Sequence, residues 1–304
     1  MSTRATGIAL AFVTAAISGF AVFLNGYAVK RFGDATAYTT AKNGVAALIL
    51  LLLALPTLRS PGGAGPPSPR PRSRRDWLAL GAVGVVGGSL PFVLFFEGLA
   101  RASSTEAAFI HKTLVVWVAL LAVPLLHERF TWWHGAAIVL LVLGQAVLVG
   151  DAGTVVVGQG EAMIFAATLL WSVEVVFVKY LLRSLAAPTL AAARLGIGTL
   201  LLVGFVLLSG RTDEIAAYGA SQWGWVALTG FVLAGYVATW YAALARAQAI
   251  DVTAVLVLGA IVTALLNAGF EGASVDALGL GLITAGGALI ALRALRPAYR
   301  PAAA

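Results

Sequence analysis

Ten apolar runs, each close to the length that crosses a bilayer, follow one another along this chain with little between them. They read as about Ala5 to Val29, Ala35 to Leu58, Trp77 to Ala100, Thr105 to Leu126, Trp132 to Gly150, Gly160 to Leu182, Ala187 to Ser209, Gln222 to Ala245, Val252 to Phe270 and Ala277 to Leu295. A spanning helix takes about 20 residues, so ten of them use about 200 positions. The chain has 304 residues, which leaves only short connections and no separate soluble domain. Composition agrees: 60% of residues are hydrophobic and 11% charged, too few charges to clothe a water-facing body of this size. Most of the outer surface must face lipid. The first run is too long for a signal-peptide core and is expected to stay in the membrane. The expected fold is therefore an all-α polytopic membrane protein with ten transmembrane helices.

The formal net charge of +7 gains meaning only from where the basic residues lie. They sit between apolar runs, and the densest group, Arg70, Arg72, Arg74 and Arg75, falls in the Pro/Gly-rich stretch Arg59 to Asp76 without interleaved aromatics. That pattern excludes a nucleic-acid partner and points to a solvated cytoplasmic loop. Ten spans put both termini on one side. Thirteen basic residues then share that side: Arg4, Arg59, Arg70, Arg72, Arg74, Arg75, Arg129, Lys179, Arg183, Arg246, Arg293, Arg296 and Arg300. Four (Lys30, Arg31, Arg101 and Arg211) lie on the other, and Lys42, Lys112 and Arg194 fall within spans. The asymmetry predicts cytoplasmic N- and C-termini.

The sequence also repeats itself. Gly98-Leu-Ala-Arg-Ala102 recurs as Ala243-Leu-Ala-Arg-Ala247, an offset of 145 that also matches Glu106 with Asp251, and Phe95 and Phe96 with Trp240 and Tyr241. Ala41-Lys-Asn-Gly44 matches Ala193-Arg-Leu-Gly196, so Lys42 pairs with Arg194 at an offset of 152. Glu128 and Glu271 each close the fourth span of their half. One five-span unit therefore occurs twice, in residues 1–150 and 151–304. Because five is odd, the second copy enters the membrane inverted relative to the first, the architecture of secondary transporters whose halves rock about a midplane site. With both halves in one chain, a single copy is expected to suffice for activity.

Two five-helix units, each with an Ala-Arg-Ala element after the third span and a Glu ending the fourth, resemble the paired EamA domains of the drug/metabolite transporter superfamily. Ala100-Arg-Ala102, Glu128-Arg129 and Gly135 carry the resemblance in the first half; Ala245-Arg-Ala247, Glu271 and Gly279 carry it in the second. The chain is similar, within that superfamily, to the YddG-type exporters of aromatic and other neutral amino acids. The resemblance implies ten helices, no cofactor, alternating access, and export of a small molecule from the cytoplasm across a bacterial inner membrane.

Enzyme readings find little purchase. His127-Glu128 opens like a zinc-binding H-E-x-x-H, but position 131 is Thr131 and the next histidine is His134, so the imidazoles are not one turn apart. With three histidines and no cysteine, a catalytic zinc would need carboxylates from distant spans. No G-x-S-x-G occurs, and Gly87-Gly-Ser-Leu-Pro91 has glycines and a proline where a nucleophile elbow needs a strand. That segment reads instead as a kink within the third span.

Ionisable side chains within spans are costly and default to function. Lys42 and Arg194 lie some six residues inside their spans, where a long side chain either snorkels to water or serves a gate or structural polar role, a role shared by Glu97. His111 and Lys112 are adjacent, about 100° apart on the helix, so they cannot both face lipid; the family resemblance runs their span along the central path. Glu174 stands mid-span, one turn after Trp171 and on the same face. Tyr236 and Trp240 also share a face mid-span, opposite the Gly/Pro break of the matching span at Leu90 and Pro91. A zwitterionic amino acid needs a donor for its carboxylate, an acceptor or aromatic face for its ammonium, and a slot for its side chain. His111 or Lys112 are the candidates for the first, Glu174 for the second, and Trp171, Tyr236 and Trp240 for the third, against the alternative that each simply packs. Another metabolite, a lipophilic cation, or a membrane protein without flux are the competing readings.

Overall fold

A computed structural model describes residues 3–59, 67–149, 158–272 and 274–295. The expected cytoplasmic residues Arg296 and Arg300 lie outside this set, as does part of the loop between Arg59 and Asp76. Among the described residues eight helices are long and apolar enough to cross a membrane, and two shorter apolar helices, Trp132–Leu148 and Ala277–Arg293, accompany them. In chain order the helices are α1 (Thr3–Ala28), α2 (Ala35–Arg59), α3 (Arg74–Val83), α4 (Leu90–Leu99), α5 (Ser104–Lys112), α6 (Leu114–Leu126) and α7 (Trp132–Val149). After the intervening segment come α8 (Gln159–Leu181), α9 (Ala187–Leu208), α10 (Thr212–Ala216), α11 (Ala220–Leu244), α12 (Ala249–Leu256), α13 (Gly259–Glu271) and α14 (Ala277–Leu295).

Several spans differ from the uninterrupted runs expected of them. The third begins at Arg74, three residues early, because Ser73 accepts the Asp76 amide while the Asp76 carboxylate accepts the Ser73 amide, a reciprocal cap. Its middle, Gly84–Ser89, is a π-helical turn joining α3 to α4. The fourth span breaks at Thr113 between α5 and α6, and the ninth between α12 and α13 at Val257 and Leu258. These breaks occupy matched places: Ser104 and Ala249, Leu114 and Gly259, and Trp132 and Ala277 begin corresponding helices, each pair 145 residues apart. The eighth span, α11, runs unbroken from Ala220 to Leu244, so the kink of the third span has no counterpart there.

Packing crosses between the two parts: α1 lies against α11 and α13, α2 against α9, α4 against α8, and α7 against α14. The outward faces are apolar, with Leu200, Leu208 and Phe231 largely exposed. The interior instead holds Lys42, Asn43, His111, Glu174, Arg194 and Asp251, all buried. Such an arrangement is the reverse of a water-soluble bundle and follows from lipid being the solvent outside. One end of the bundle gathers Arg4, Glu128 and Asp251, and is called here the amino-terminal end; the opposite end gathers Asp34, Glu97 and Arg211.

Candidate functional site

The π-helical turn is the site's foundation. A side chain at Gly87 would put its Cβ 2.6 Å from Glu174 Cγ, and one at Gly88 would run into the Arg194 carbonyl, so glycine at both positions lets the third span press against α8 and α9. The close approach places the Gly87 carbonyl where it accepts two bonds, from Trp171 Nε1 at 3.0 Å and from Arg194 Nε at 3.1 Å. A local irregularity thereby orients two side chains from two different helices.

Beside this carbonyl lies a cavity lined from α1, α2, α4, α5, α6, α8, α9 and α11. Of the residues expected to form the site, His111, Trp171, Glu174, Tyr236, Trp240, Lys42 and Arg194 all line it. Snorkelling is overturned for Lys42 and Arg194, which are 1% and 4% exposed and point into the bundle. Both cations approach Phe92: Lys42 Nζ lies 5.6 Å, and Arg194 Cζ 5.8 Å, from its ring centroid. Lys42 sits closer still over Phe96, at 3.4 Å, a cation–π contact.

Two expected residues stand apart. Lys112, although next to His111, turns away because the helical step sends it toward α1, where its ammonium donates to Ser18 Oγ at 2.8 Å; it does not line the cavity, whereas Ser18 does. Glu97 sits at the opposite end, where its carboxylate accepts from Thr36 at 2.7 Å and from Arg101 at 2.6 Å and lies 3.8 Å from Arg211. It belongs to a surface ion network with Asp34, which pairs with Arg211 at 2.9 Å.

The polar core is arranged around Glu174. Tyr241 Oη donates to Glu174 Oε1 at 2.5 Å, and Arg194 Nε lies 3.8 Å from the same oxygen. Glu174 Oε2, Arg194 Nη1 and His111 Nδ1 have no protein partner, although all three are buried. Uncompensated buried polar atoms are expensive, so three of them in one cavity call for a partner from outside the protein. Aromatic rings wall this group: Trp171 packs edge-on against Phe92 and His111, and Tyr236 stacks on Trp240 at 6.1 Å and 11°. Sequence reasoning missed Tyr241, the Gly87 carbonyl and the wall of Phe92, Phe95 and Phe96. A signal for part of it was present, since Phe95 and Phe96 match Trp240 and Tyr241 in the repeat.

At the amino-terminal end, Glu128 follows the left-handed residue His127 that ends α6. Its Oε1 accepts the Ala249 amide at 2.7 Å and its Oε2 the Ile250 amide at 3.1 Å. Burial raises its pKa above the usual carboxylate value, opposed by those two amides and by Lys179. Asp251 is taken up by Arg4 at 2.9 Å and His134 at 3.1 Å. Lys179 donates to the Leu244 and Ala247 carbonyls, both at 2.6 Å. The left-handed residue after α13 is Gly272, which matches His127 at the offset of 145; Glu271 therefore matches Leu126, and the position matching Glu128 is Ala273. Glu128 and Glu271 are not counterparts, as a shared place at the end of the fourth span had suggested.

Comparison with known proteins supports this architecture. One solved crystal structure superposes over 92% of this chain and 99% of its own length with a TM-score of 0.71 at 18% identity, a likeness of fold. Over 147 residues the chain is 26% identical to an uncharacterized transporter of Methanothermobacter thermautotrophicus (strain ATCC 29096 / DSM 1053 / JCM 10044 / NBRC 100330 / Delta H), covering 47% of this chain and 43% of the relative. The chain thus spans less than half the length of that curated relative. Residues 5–150 and 158–292 each match the EamA-like transporter family. With nearly all of its length accounted for by these two matches, this multi-pass membrane protein belongs to the EamA-like transporter family of the drug/metabolite transporter superfamily.

Proposed function

We propose that the protein is a YddG-type exporter that moves small neutral amino acids, aromatic ones included, outward by alternating access. In this reading ten spans form two inverted five-span halves, residues 1–150 and 151–304. Both termini lie on the cytoplasmic face of a bacterial inner membrane, and one chain forms a complete pathway. The thirteen-to-four distribution of basic residues supports the orientation, and helix boundaries recurring 145 residues apart support the repeat.

The observation that carries the substrate reading is the convergence of unpartnered Glu174 Oε2 and Arg194 Nη1 in one aromatic-walled cavity. Arg194 takes the place first considered for His111 or Lys112, as donor to the substrate carboxylate. Glu174 accepts from the ammonium, while Trp171, Tyr236 and Trp240 hold the side chain. A lipophilic cation is disfavoured, because Lys42 and Arg194 outnumber the one carboxylate in the lining.

Counterflow in proteoliposomes tests this with labelled neutral amino acids beside sugars and organic cations. Amino acid exchange is expected, and it is expected to fall at least tenfold in Arg194→Gln and Glu174→Gln. Exchange of a cation or sugar with none of any amino acid would assign the site to another substrate.

A further inference from the structure

We propose that Glu128 is the latch of the gate at the amino-terminal end, holding the two parts of the molecule together by capping α12 in trans. The proposal rests on the alternating-access reading above but not on the identity of the substrate.

The first turn of an α-helix carries unsatisfied donors. Its leading amides have no partner within the helix and need an acceptor, preferably an anionic one at the positive end of the dipole. In α5 that acceptor is local. Ser103 Oγ accepts the Glu106 amide at 3.1 Å, and the Glu106 carboxylate accepts the Ser103 amide at 3.1 Å. The matched helix α12 carries Gln248 where α5 has Ser103, and Asp251 where α5 has Glu106. The Gln248 side chain makes no capping bond, and Asp251 is diverted to Arg4 and His134. The first turn of α12 relies instead on Glu128, brought from 121 residues away. Two nominally equivalent helix starts thus differ: one is self-sufficient, and the other is satisfied only while the two parts stay in contact.

Position turns this cap into a gate element. α12 is the amino-terminal-end half of the ninth span, which tightens to i→i+3 bonding at Val257 and Leu258 before α13, a point at which a helix bends most readily. It packs against α1 and α6 below the cavity. Moving it away breaks both Glu128 bonds and leaves two amides of α12 and a buried carboxylate without partners. Closure is therefore held by a contact made only in the closed state. The hydrogen-bond partners of Glu128, the Ala249 and Ile250 amides, do not line the cavity, so Glu128 acts through α12, as a positioning residue.

The absence of cysteine from the chain makes the test direct. Ala11, buried on α1 two turns toward the amino-terminal end from the cavity residue Ser18, reports opening at that end; Val22, one turn the other way, lines the cavity itself. Single variants Ala11→Cys, Val22→Cys and Ala37→Cys are purified in detergent and labelled with N-ethylmaleimide, without substrate. Adding Glu128→Ala is expected to speed labelling at position 11 about tenfold, equivalent to about 1.4 kcal/mol and within the usual worth of an N-cap. Glu128→Gln, which keeps one carbonyl acceptor, is expected to give a smaller rise in the same direction. Labelling at position 22 is expected to rise with it, because an open amino-terminal end leads into the cavity, whereas Ala37→Cys, buried on α2 at the opposite end, is expected not to label faster. An unchanged rate at position 11 in both Glu128 variants would overturn the latch, and so would an equal rise at position 37, which signals general loosening. Failure of the amino acid reading appears separately, as missing counterflow by the wild type.

Discussion

At the scale of single residues, the structure separates rings that line the cavity from rings that face outward. Trp171 is anchored by its indole N–H on the Gly87 carbonyl, and Trp240 stacks on Tyr236, so each presents a fixed ring to the cavity. Trp132 stacks on Trp133 at 3.8 Å but is 67% exposed on the outer surface, as a belt residue at the membrane interface should be. Stacking and cation–π contact contribute on the order of 1–2 kcal/mol, about ten- to thirtyfold in affinity. Trp240→Ala is accordingly expected to raise the half-saturation for aromatic amino acids in counterflow by about that factor, and that for small ones by less. Trp132→Ala is expected to leave both unchanged. Equal half-saturation in wild type and Trp240→Ala would make Trp240 a packing residue. Glu174, Trp171 and Trp240 were legible in the sequence because an acid or an aromatic at mid-span depth has few other destinations. Tyr241 was not, since one hydroxyl among the belt and core aromatics carries no sign that it will face a buried carboxylate.

At the scale of elements, chain breaks do the organising, and they differed in how visible they were. The kink of the third span could be read from Gly87, Gly88 and Pro91, residues that loosen or interrupt a helix. The breaks in the fourth and ninth spans could not, because Thr113 and Leu258 are ordinary residues within apolar runs. Lys112 shows the same limit: its depth was legible, but a step of one residue along α5 decided that it would face Ser18 and not the cavity. The π-turn yields a sharp test of element packing. Gly88→Ala drives a methyl into the Arg194 carbonyl, backbone that cannot swing aside, and overpacking of this kind costs about 1–3 kcal/mol. Gly196→Ala, on α9 with open space around it, provides the matched control. Thermal unfolding of the purified proteins is expected to show a lowered midpoint for Gly88→Ala and an unchanged or slightly raised one for Gly196→Ala. Equal midpoints would mean that the third span does not need its close approach to α9.

At the scale of the whole molecule, the repeat creates two similar ends that the side chains then make unequal. Contacts at the amino-terminal end are the more buried: Glu128 is 9% exposed, Asp251 is fully covered, and of their partners the backbone amides and His134 are covered while the Arg4 side chain is 35% exposed. At the opposite end the ties between the two parts are Arg211 with Asp34 and Glu97, and the Arg211 side chain is 37% exposed. Half-exposed ion pairs contribute about 0–1 kcal/mol and are screened by salt, with a Debye length of about 3 Å at 1 M. Buried carboxylate–amide bonds escape that screening. The two ends should therefore respond differently to ionic strength. Ala37 is buried on α2 beside Asp34, which accepts its amide, and Ala37→Cys reports the opposite end. Raising salt from 0.05 to 1 M is expected to speed maleimide labelling of Ala37→Cys by no more than about fivefold, the equivalent of 1 kcal/mol. Arg211→Ala should reproduce that increase at low salt and abolish any further response. Ala11→Cys is expected to respond less than Ala37→Cys in either background, because the Glu128–amide bonds and the His134–Asp251 pair at its end are buried and only Arg4 is open to ions. If Ala11→Cys responds and Ala37→Cys does not, the division of the molecule into a buried latch and a screened one is wrong.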